Sequence, residues 1–318
     1  MTIERLVAGV DVGGTNIEVG LVGPDHEVVD RAKSDIPTGG PDAVMGRINE
    51  LVQSLSEPAA AVGVGFPGVV HRGKVLTVPN LANWFEPVDV GSVLNQMMGV
   101  PVAVGNDADV GLLGEWYAGA ARGVDNVLGV WMGTGIGGSF ILDGRPFNGS
   151  RGGAGEIGHI IVRPGGALCG CGRRGCIEAY AGRRMMSRAA TELVEAGRTT
   201  SLFDLRDQMG KEHLTSRVWA RALEDGDPVA TELVDLAIET LGIGLGSVVN
   251  ATDVELVVIG GGFSQKLGQP LADRIGRAAA PWTIRPNPDL RWVRASLGDS
   301  SGVVGAASIG RAELRRAG

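Results

Sequence analysis

Short apolar runs separated by glycine-rich turns recur along this chain. Residues 6–10 (LVAGV) read as a buried strand, the DVGGTN turn at 11–16 follows, and 17–22 (IEVGLV) resume the strand pattern. A third strand is predicted at 26–31. Apolar residues at helical spacing (Val44, Ile48, Leu51, Val52, Leu55) predict a helix over 41–56, ahead of a buried strand at 61–66 that turns at Pro67-Gly68. Residues 90–98 read as helix, 101–105 as a strand ending on Asn106-Asp107, and 109–119 as the next helix. The pattern then restarts: VLGVWMG at 127–133, a GTGIGG turn, and SFILDG at 139–144. Strand–glycine turn–strand thus occurs once in each half, a weak internal symmetry. Residues 183–250 are mainly helical, with a helix from 228 to about 249 capped by Asp227 and carrying Pro228 in its first turn. VELVVIGGG at 254–262 delivers three glycines to a helix start; a last strand near 291–294 precedes a C-terminal helix.

This order predicts two α/β lobes. Asp11, Asp107, Thr134 and residues 260–262 all fall at predicted strand ends, where open α/β sheets bind ligands. The 318 residues include 52 glycines, read as tight turns and backbone–ligand contacts. A net charge of -7 argues against a nucleic-acid partner. No run reaches the ~20 apolar residues of a membrane span, and no signal peptide is legible, so a cytoplasmic protein without a membrane partner is expected.

The chain has three cysteines, all in one cluster: Cys169, Cys171 and Cys176, with His159 upstream. An odd, clustered set argues against disulfides and for a metal in a reducing compartment. Three thiolates and one imidazole match a closed, four-coordinate structural zinc site with no open position for a reactive water. Glu156 and Glu178 flank this loop and are candidates, with His159, to hold a polar ligand. Asp11, Gly13, Gly14 and Thr15 form one candidate phosphate loop, with Asp11 a possible Mg²⁺ ligand. Residues Gly133, Thr134, Gly135, Gly137 and Gly138 form a second, and 260–262 an approach for base or ribose. None is a Walker A loop, since no Gly-Lys-Ser/Thr follows. Asp107 reads either as a helix N-cap or as a general base for phosphoryl transfer.

The motifs DVGGTN (11–16), GVGFPG (63–68), VPNLANW (78–84), GNDAD (105–109), GTGIGG (133–138), GEIGH (155–159), CGCGRRGCIEAY (169–180) and VIGGG (258–262) together resemble the ROK family of bacterial sugar kinases and repressors. The resemblance covers essentially the whole chain. It implies a two-lobed actin-like ATPase (ribonuclease H-like) fold with a central interlobe cleft. The small lobe would be 1–105 plus about 303–318, the large lobe 106–302 with a zinc-binding loop at 159–176. It implies ATP-dependent phosphorylation of a hexose, D-glucose first, with N-acetylmannosamine, N-acetylglucosamine or fructose as alternatives. Asp107 would be the base. Gly68, Asn80, Asn106, Asp107, Glu156, His159 and Glu178 would face the sugar; Asp11, Gly13, Gly14, Thr15, Asn16 and residues 133–138 would bind the ATP phosphates with Mg²⁺; Gly261 and Gly262 would approach adenosine. A structural Zn²⁺ and a homo-oligomer, dimer or tetramer, are implied as well. Many glucokinases of this type carry Lys where this chain has Asn16. Since no DNA-binding segment precedes Asp11, an enzyme is expected over a sugar-responsive regulator.

Overall fold

The structure, a computed structural model, describes residues 5–76, 78, 81, 83–284 and 288–317. It opens with strands β1 (Val7–Val12), β2 (Asn16–Val22) and β3 (Val28–Asp35). Helix α1 (Pro41–Gln53) and β4 (Val62–Phe66) follow, then the short ladder of β5 (Val70–His71) and β6 (Lys74–Val75). Next come α2 (Val90–Met98), β7 (Val102–Asn106) and α3 (Asp107–Ala118). The restart is β8 (Val127–Met132), β9 (Ile136–Leu142) and β10 (Arg145–Pro146). Helices α4 (Glu178–Ala181), α5 (Arg183–Glu195), α6 (Leu202–Gln208), α7 (Ser216–Glu224) and α8 (Pro228–Thr252) precede β11 (Leu256–Gly260). The chain ends with α9 (Gly261–Leu267), α10 (Gln269–Ala279), β12 (Arg291–Arg294) and α11 (Ser300–Ala317).

Two five-stranded sheets have the same order, β3-β2-β1-β4-β7 and β10-β9-β8-β11-β12. In the first, β1 pairs antiparallel with β2 and parallel with β4, which pairs parallel with β7. In the second, β11 runs parallel to both β8 and β12. The repeat predicted from the two glycine turns is thus a repeat of topology.

β1 and β4 are buried because both faces are covered. Ala8, Val10 and Val64 point into a core with Val44 and Ile48 of α1 and Leu94 of α2. The opposite face carries glycine. A Cβ on Gly9 would stand 1.9 Å from the Val303 carbonyl oxygen, and one on Gly63 would stand 1.7 Å from that of Ala306. α11 therefore lies backbone-to-backbone on the sheet. It packs against α3 in the same manner: a Cβ on Gly305 would meet the Val110 carbonyl oxygen at 1.6 Å, and one on Gly114 that of Ser301 at 2.1 Å. Many of the glycines read as turns are instead places of close element packing.

The predicted strand at 26–31 runs to Asp35, because β3 is an edge strand whose polar residues alternate with half-buried ones. The predicted turn at 134–138 is shorter, since β9 begins at Ile136, and the helix predicted from 109 begins at Asp107. The chain forms two compact units, Met1–Asp125 with Ser139–Ala154 and Ser296–Gly318, and Asn126–Gly138 with Gly155–Ala295. The first unit reaches beyond the expected boundary at 105 because α3 packs along α11. A carboxylate inside this unit joins the two. Glu115 of α3, with no exposed surface, accepts from the backbone of Ala120 (2.8 Å), Ser296 (3.0 Å) and Leu297 (2.9 Å) and from the hydroxyls of Ser296 (3.0 Å) and Ser301 (2.7 Å).

Substituting Gly305→Ala forces a methyl against a backbone carbonyl that no side-chain rotation can move. It should destabilise the protein by about 3 kcal/mol or more, seen as a lower urea midpoint; an unchanged midpoint would contradict the close packing.

Candidate functional site

In the first unit, parallel pairing brings the carboxyl ends of β1, β4 and β7 to one edge. Asp11 pairs in register with Gly65, Gly65 with Gly105, and Phe66 with Asn106. Asp107 follows directly as the first residue of α3. Its neighbour Asn106, not Asp107, is the N-cap: the Asn106 side-chain oxygen accepts from Ala108 N (2.8 Å) and Asp109 N (3.2 Å). The Asn106 amide donates to the Gly68 carbonyl (2.8 Å), so the β4 turn is tied to the β7 end. Of the two readings left open for Asp107, capping is thereby assigned to Asn106. Asn80 lies outside the described residues.

Gly13, Gly14 and Thr15 connect β1 to β2. Gly13 N donates to Asn16 O (2.8 Å), and the Asn16 amide donates to the Thr15 hydroxyl (3.0 Å). Gly14 and Thr15 are exposed at the tip. Asp11 sits at the root of this turn against the first turn of α11, where a Cβ on Gly302 would stand 2.3 Å from the Asp11 carboxylate. Burial first, and then the negative charges of Asp107, Glu18 and Asp299 against the opposing pull of Lys33, together raise the Asp11 pKa to about 7. Such a group is suited to a cation. Asp299 was not recognised in the sequence; the Glu115 contacts that hold its segment join residues more than 180 positions apart.

In the second unit, residues 133–135 form the turn from β8 to β9. Gly133 N donates to Gly135 O (3.0 Å), while Arg183 N and Arg184 N donate to Gly133 O (3.3 Å) and Thr134 O (3.1 Å). Ile136 N donates to the Glu178 carboxylate (2.9 Å), which fits there because Gly135 has no Cβ: one would stand 2.2 Å from that oxygen. Gly138 packs as closely, a Cβ there lying 2.5 Å from Ile157. Gly261 has φ +84°, and a Cβ on it would strike the Met132 carbonyl oxygen at 2.5 Å. Gly262 lies beside Ser216 and Arg183, and the Arg183 guanidinium donates to the hydroxyls of Thr134 and Ser216, each at 3.1 Å. Arg183 and Ser216 were also missed in the sequence. The available signal was an arginine opening a helix directly after glycine with no acid in the first turn.

The ligand atoms of His159, Cys169, Cys171 and Cys176 all lie within 4.8 Å of one another. Cys171 Sγ is 3.7 Å from Cys176 Sγ, and Cys169 Sγ is 3.7 Å from His159 Nδ1. Zn–S bonds of about 2.3 Å in a tetrahedron separate two sulfurs by about 3.8 Å, so the spacing fits that ion. The donor chemistry agrees: burial pushes the Cys169 and Cys176 thiols up, and a bound dication would offset the cost of their thiolates. The scaffold is backbone: Ile161 bridges to Cys176, Leu168 to Arg174, and Cys169 N donates to Arg173 O (2.8 Å). With His159 Nδ1 turned to the sulfurs, Nε2 faces Glu156 at 3.9 Å. Glu178 reaches the same cluster, its Oε1 lying 3.8 Å from Cys169 Sγ. Glu156, His159 and Glu178 are thus gathered around the four-donor site.

The ROK family model matches residues 7–313. A glucokinase of Thermotoga maritima is 32% identical over 312 residues, covering 95% of this chain and 96% of its own. An N-acetylgalactosamine kinase of a Shewanella species is 30% identical over 316 residues, covering 95% and 96%. The crystal structure of a ROK family glucokinase from Streptomyces griseus, in complex with glucose and AMPPNP, superposes with a TM-score of 0.85 at 32% identity, covering 96% of this chain and 99% of that one. The two like-ordered sheets are those of the actin-like ATPase fold. Sequence, topology and motif geometry agree on one assignment: the chain belongs to the ROK family.

Proposed function

We propose that the protein is a glucokinase, transferring the γ-phosphoryl group of ATP to the 6-hydroxyl of D-glucose. The observation that carries this reading is the whole-length similarity to ROK glucokinases, 32% identical to that of Thermotoga maritima. Asp107 accepts the hydroxyl proton as the sugar oxygen attacks the γ-phosphorus; one P–O bond forms, the bond to the bridging oxygen breaks, and ADP leaves. Asn106 has its side chain committed to the Gly68 carbonyl and the α3 cap, so it fixes where Asp107 stands. Glu156, His159 and Glu178 hold sugar hydroxyls. The turns at Gly13–Thr15 and Gly133–Gly135, with Asn16, Gly137 and Gly138, hold the phosphates, and Gly261 and Gly262 the adenosine. Mg²⁺ bound to ATP would neutralise phosphate charge, with Asp11 as its partner on the protein.

Zn²⁺ is the ion proposed for His159, Cys169, Cys171 and Cys176. With four protein donors it is a structural brace for a loop of little apolar content. Among the described residues no helix is long and apolar enough to cross a membrane. In this reading the enzyme works in the cytoplasm as a homo-oligomer, with neither nucleic acid nor membrane as partner. A second reading, an N-acetylhexosamine kinase, is favoured by the 30% identity to the Shewanella N-acetylgalactosamine kinase.

A hexose panel with ATP and Mg²⁺ should show ADP formation fastest with glucose; a stronger preference for an N-acetylhexosamine would select the second reading, and no turnover with any sugar would leave a regulator. In the same assay Asp107→Asn should lower kcat by about 10²–10⁴ with little change in glucose affinity, and retained turnover would remove Asp107 from the base role. Metal analysis should find one tightly held zinc per chain. Cys171→Ser should lose it and lower thermal stability by several kcal/mol, on the order expected of a structural site; full stability without metal would contradict the brace. For Asp11, the folded pKa of about 7 exceeds the ordinary 3.8, so the folded state holds a proton that the unfolded chain has released. Stability without Mg²⁺ should therefore fall as pH rises from about 4 through 7, and Asp11→Asn should flatten the fall in a series of thermal melts; equal slopes would rule out Asp11 as its source.

A further inference from the structure

Among the described residues, Arg183 is a cation without a counter-ion. It opens the thirteen-residue helix α5 directly after Gly182, with no side-chain cap and no acidic residue in the first turn. A helix start already carries partial positive charge, so a cation there is electrostatically disfavoured. Its guanidinium is half-buried, and burial lowers its pKa from the ordinary value. Its side-chain partners in the second unit are neutral hydroxyls, Thr134 Oγ1 and Ser216 Oγ, each at 3.1 Å. Arg188, five residues along the same helix, pairs with Glu192 at 2.8 Å, whereas among the described residues Arg183 makes no ion pair. An exposed arginine lacking a carboxylate is stabilised by hydration; a half-buried one loses part of that hydration and keeps an attraction for an anion.

Its position says which anion. The backbone of Arg183 donates to Gly133 O, so it is stitched to the 133–135 turn. On its other side, a Cβ on Gly262 would stand 2.7 Å from Ser216 Oγ and 3.8 Å from Arg183 Nη1. One guanidinium therefore donates to Thr134 of the β8–β9 turn and to Ser216 at the start of α7, and Ser216 lies against Gly262 in the first turn of α9. These two turns are the ones assigned above to the phosphate chain and to adenosine.

We propose that Arg183 is a nucleotide-binding residue that grips the α,β-phosphates, between the adenosine held at Gly261–Gly262 and the transferring end held at Thr134. The proposal rests on the ATP-dependent reading. Because the α,β-phosphates remain in ADP, Arg183 holds product as well as substrate, and its loss weakens both.

The decisive variant is Arg183→Gln, whose amide can keep hydrogen bonds to Thr134 and Ser216 but carries no charge. Nucleotide affinity is read by calorimetry with ADP and with adenosine, and steady-state kinetics give KM for ATP and for the sugar. Loss of a charge-assisted phosphate contact should raise the ADP Kd and the ATP KM by about 10- to 100-fold. The adenosine Kd and the sugar KM should stay within about threefold. Arg183→Lys should recover part of the ADP affinity, and Arg188→Ala, which removes a charge from the same helix, should leave it unchanged. An ADP Kd within twofold of the parent in a folded Gln variant overturns the proposal. So does an equal weakening of ADP and adenosine, which would mark Arg183 as a buttress of the turns. If the Gln variant does not fold, Arg183→Lys decides alone: weakened ADP binding with adenosine unaffected supports the phosphate contact, and an ADP Kd within twofold of the parent overturns it. A parent protein that shows no ATP turnover with any sugar tested and binds no ADP overturns the kinase reading itself, whereas turnover with an indifferent Gln variant overturns only the role of Arg183.

Discussion

Direct backbone contact of α11 with the β1–β4 pair and with α3 sets the dimensions of the first unit. At Gly9, Gly63, Gly114 and Gly305 no side chain separates the elements, and each missing Cβ would fall within about 2 Å of a carbonyl oxygen. Interiors are normally spaced by interlocking side chains; here the spacing is set by main chain, which cannot rotate away. The chemistry depends on it. Asp11 stands at the end of β1 with Gly302 pressed against its carboxylate, and Asp299 immediately precedes α11. If α11 stood further off, Asp11 would lose burial, the first cause of its raised pKa, and Asp299 would draw away from it.

The second unit solves a different problem. The segment around Cys169, Cys171 and Cys176 contains little that could pack, and its order comes from short backbone bridges and four donor side chains. Glu178 extends that order outward, with one carboxylate oxygen near Cys169 Sγ and the other accepting from Ile136 N. One side chain thus links the donor cluster to the turn between β8 and β9. The position of Gly135 is part of the same device, because any larger residue would displace the carboxylate.

Much of this was legible in the sequence where the signal is local. Short apolar runs, glycine turns and the Asp227 cap place most elements to within a few residues, and the cysteine spacing alone identifies the donor set. What was not legible is long-range. Glu115 looks like any acid on a helix until Ser296, Leu297 and Ser301 are brought to it, and Arg183 looks like a surface cation until Thr134 and Ser216 surround it. The glycines were misread for the same reason: a turn glycine and a packing glycine have identical neighbours in the chain, and only the partner element tells them apart. The capping assignment also needed geometry, since Asn106 and Asp107 are equally good caps by residue type.

The place of α11 in chain order has a consequence for biosynthesis. The strands it covers are made early, yet the helix that fits their glycine face follows β4 by more than two hundred residues. At roughly 5–20 residues per second of synthesis, that face waits tens of seconds for its cover. Until then the glycine face of β1 and β4 lacks the helix that covers it, so the first unit to begin emerging from the ribosome is the last to close.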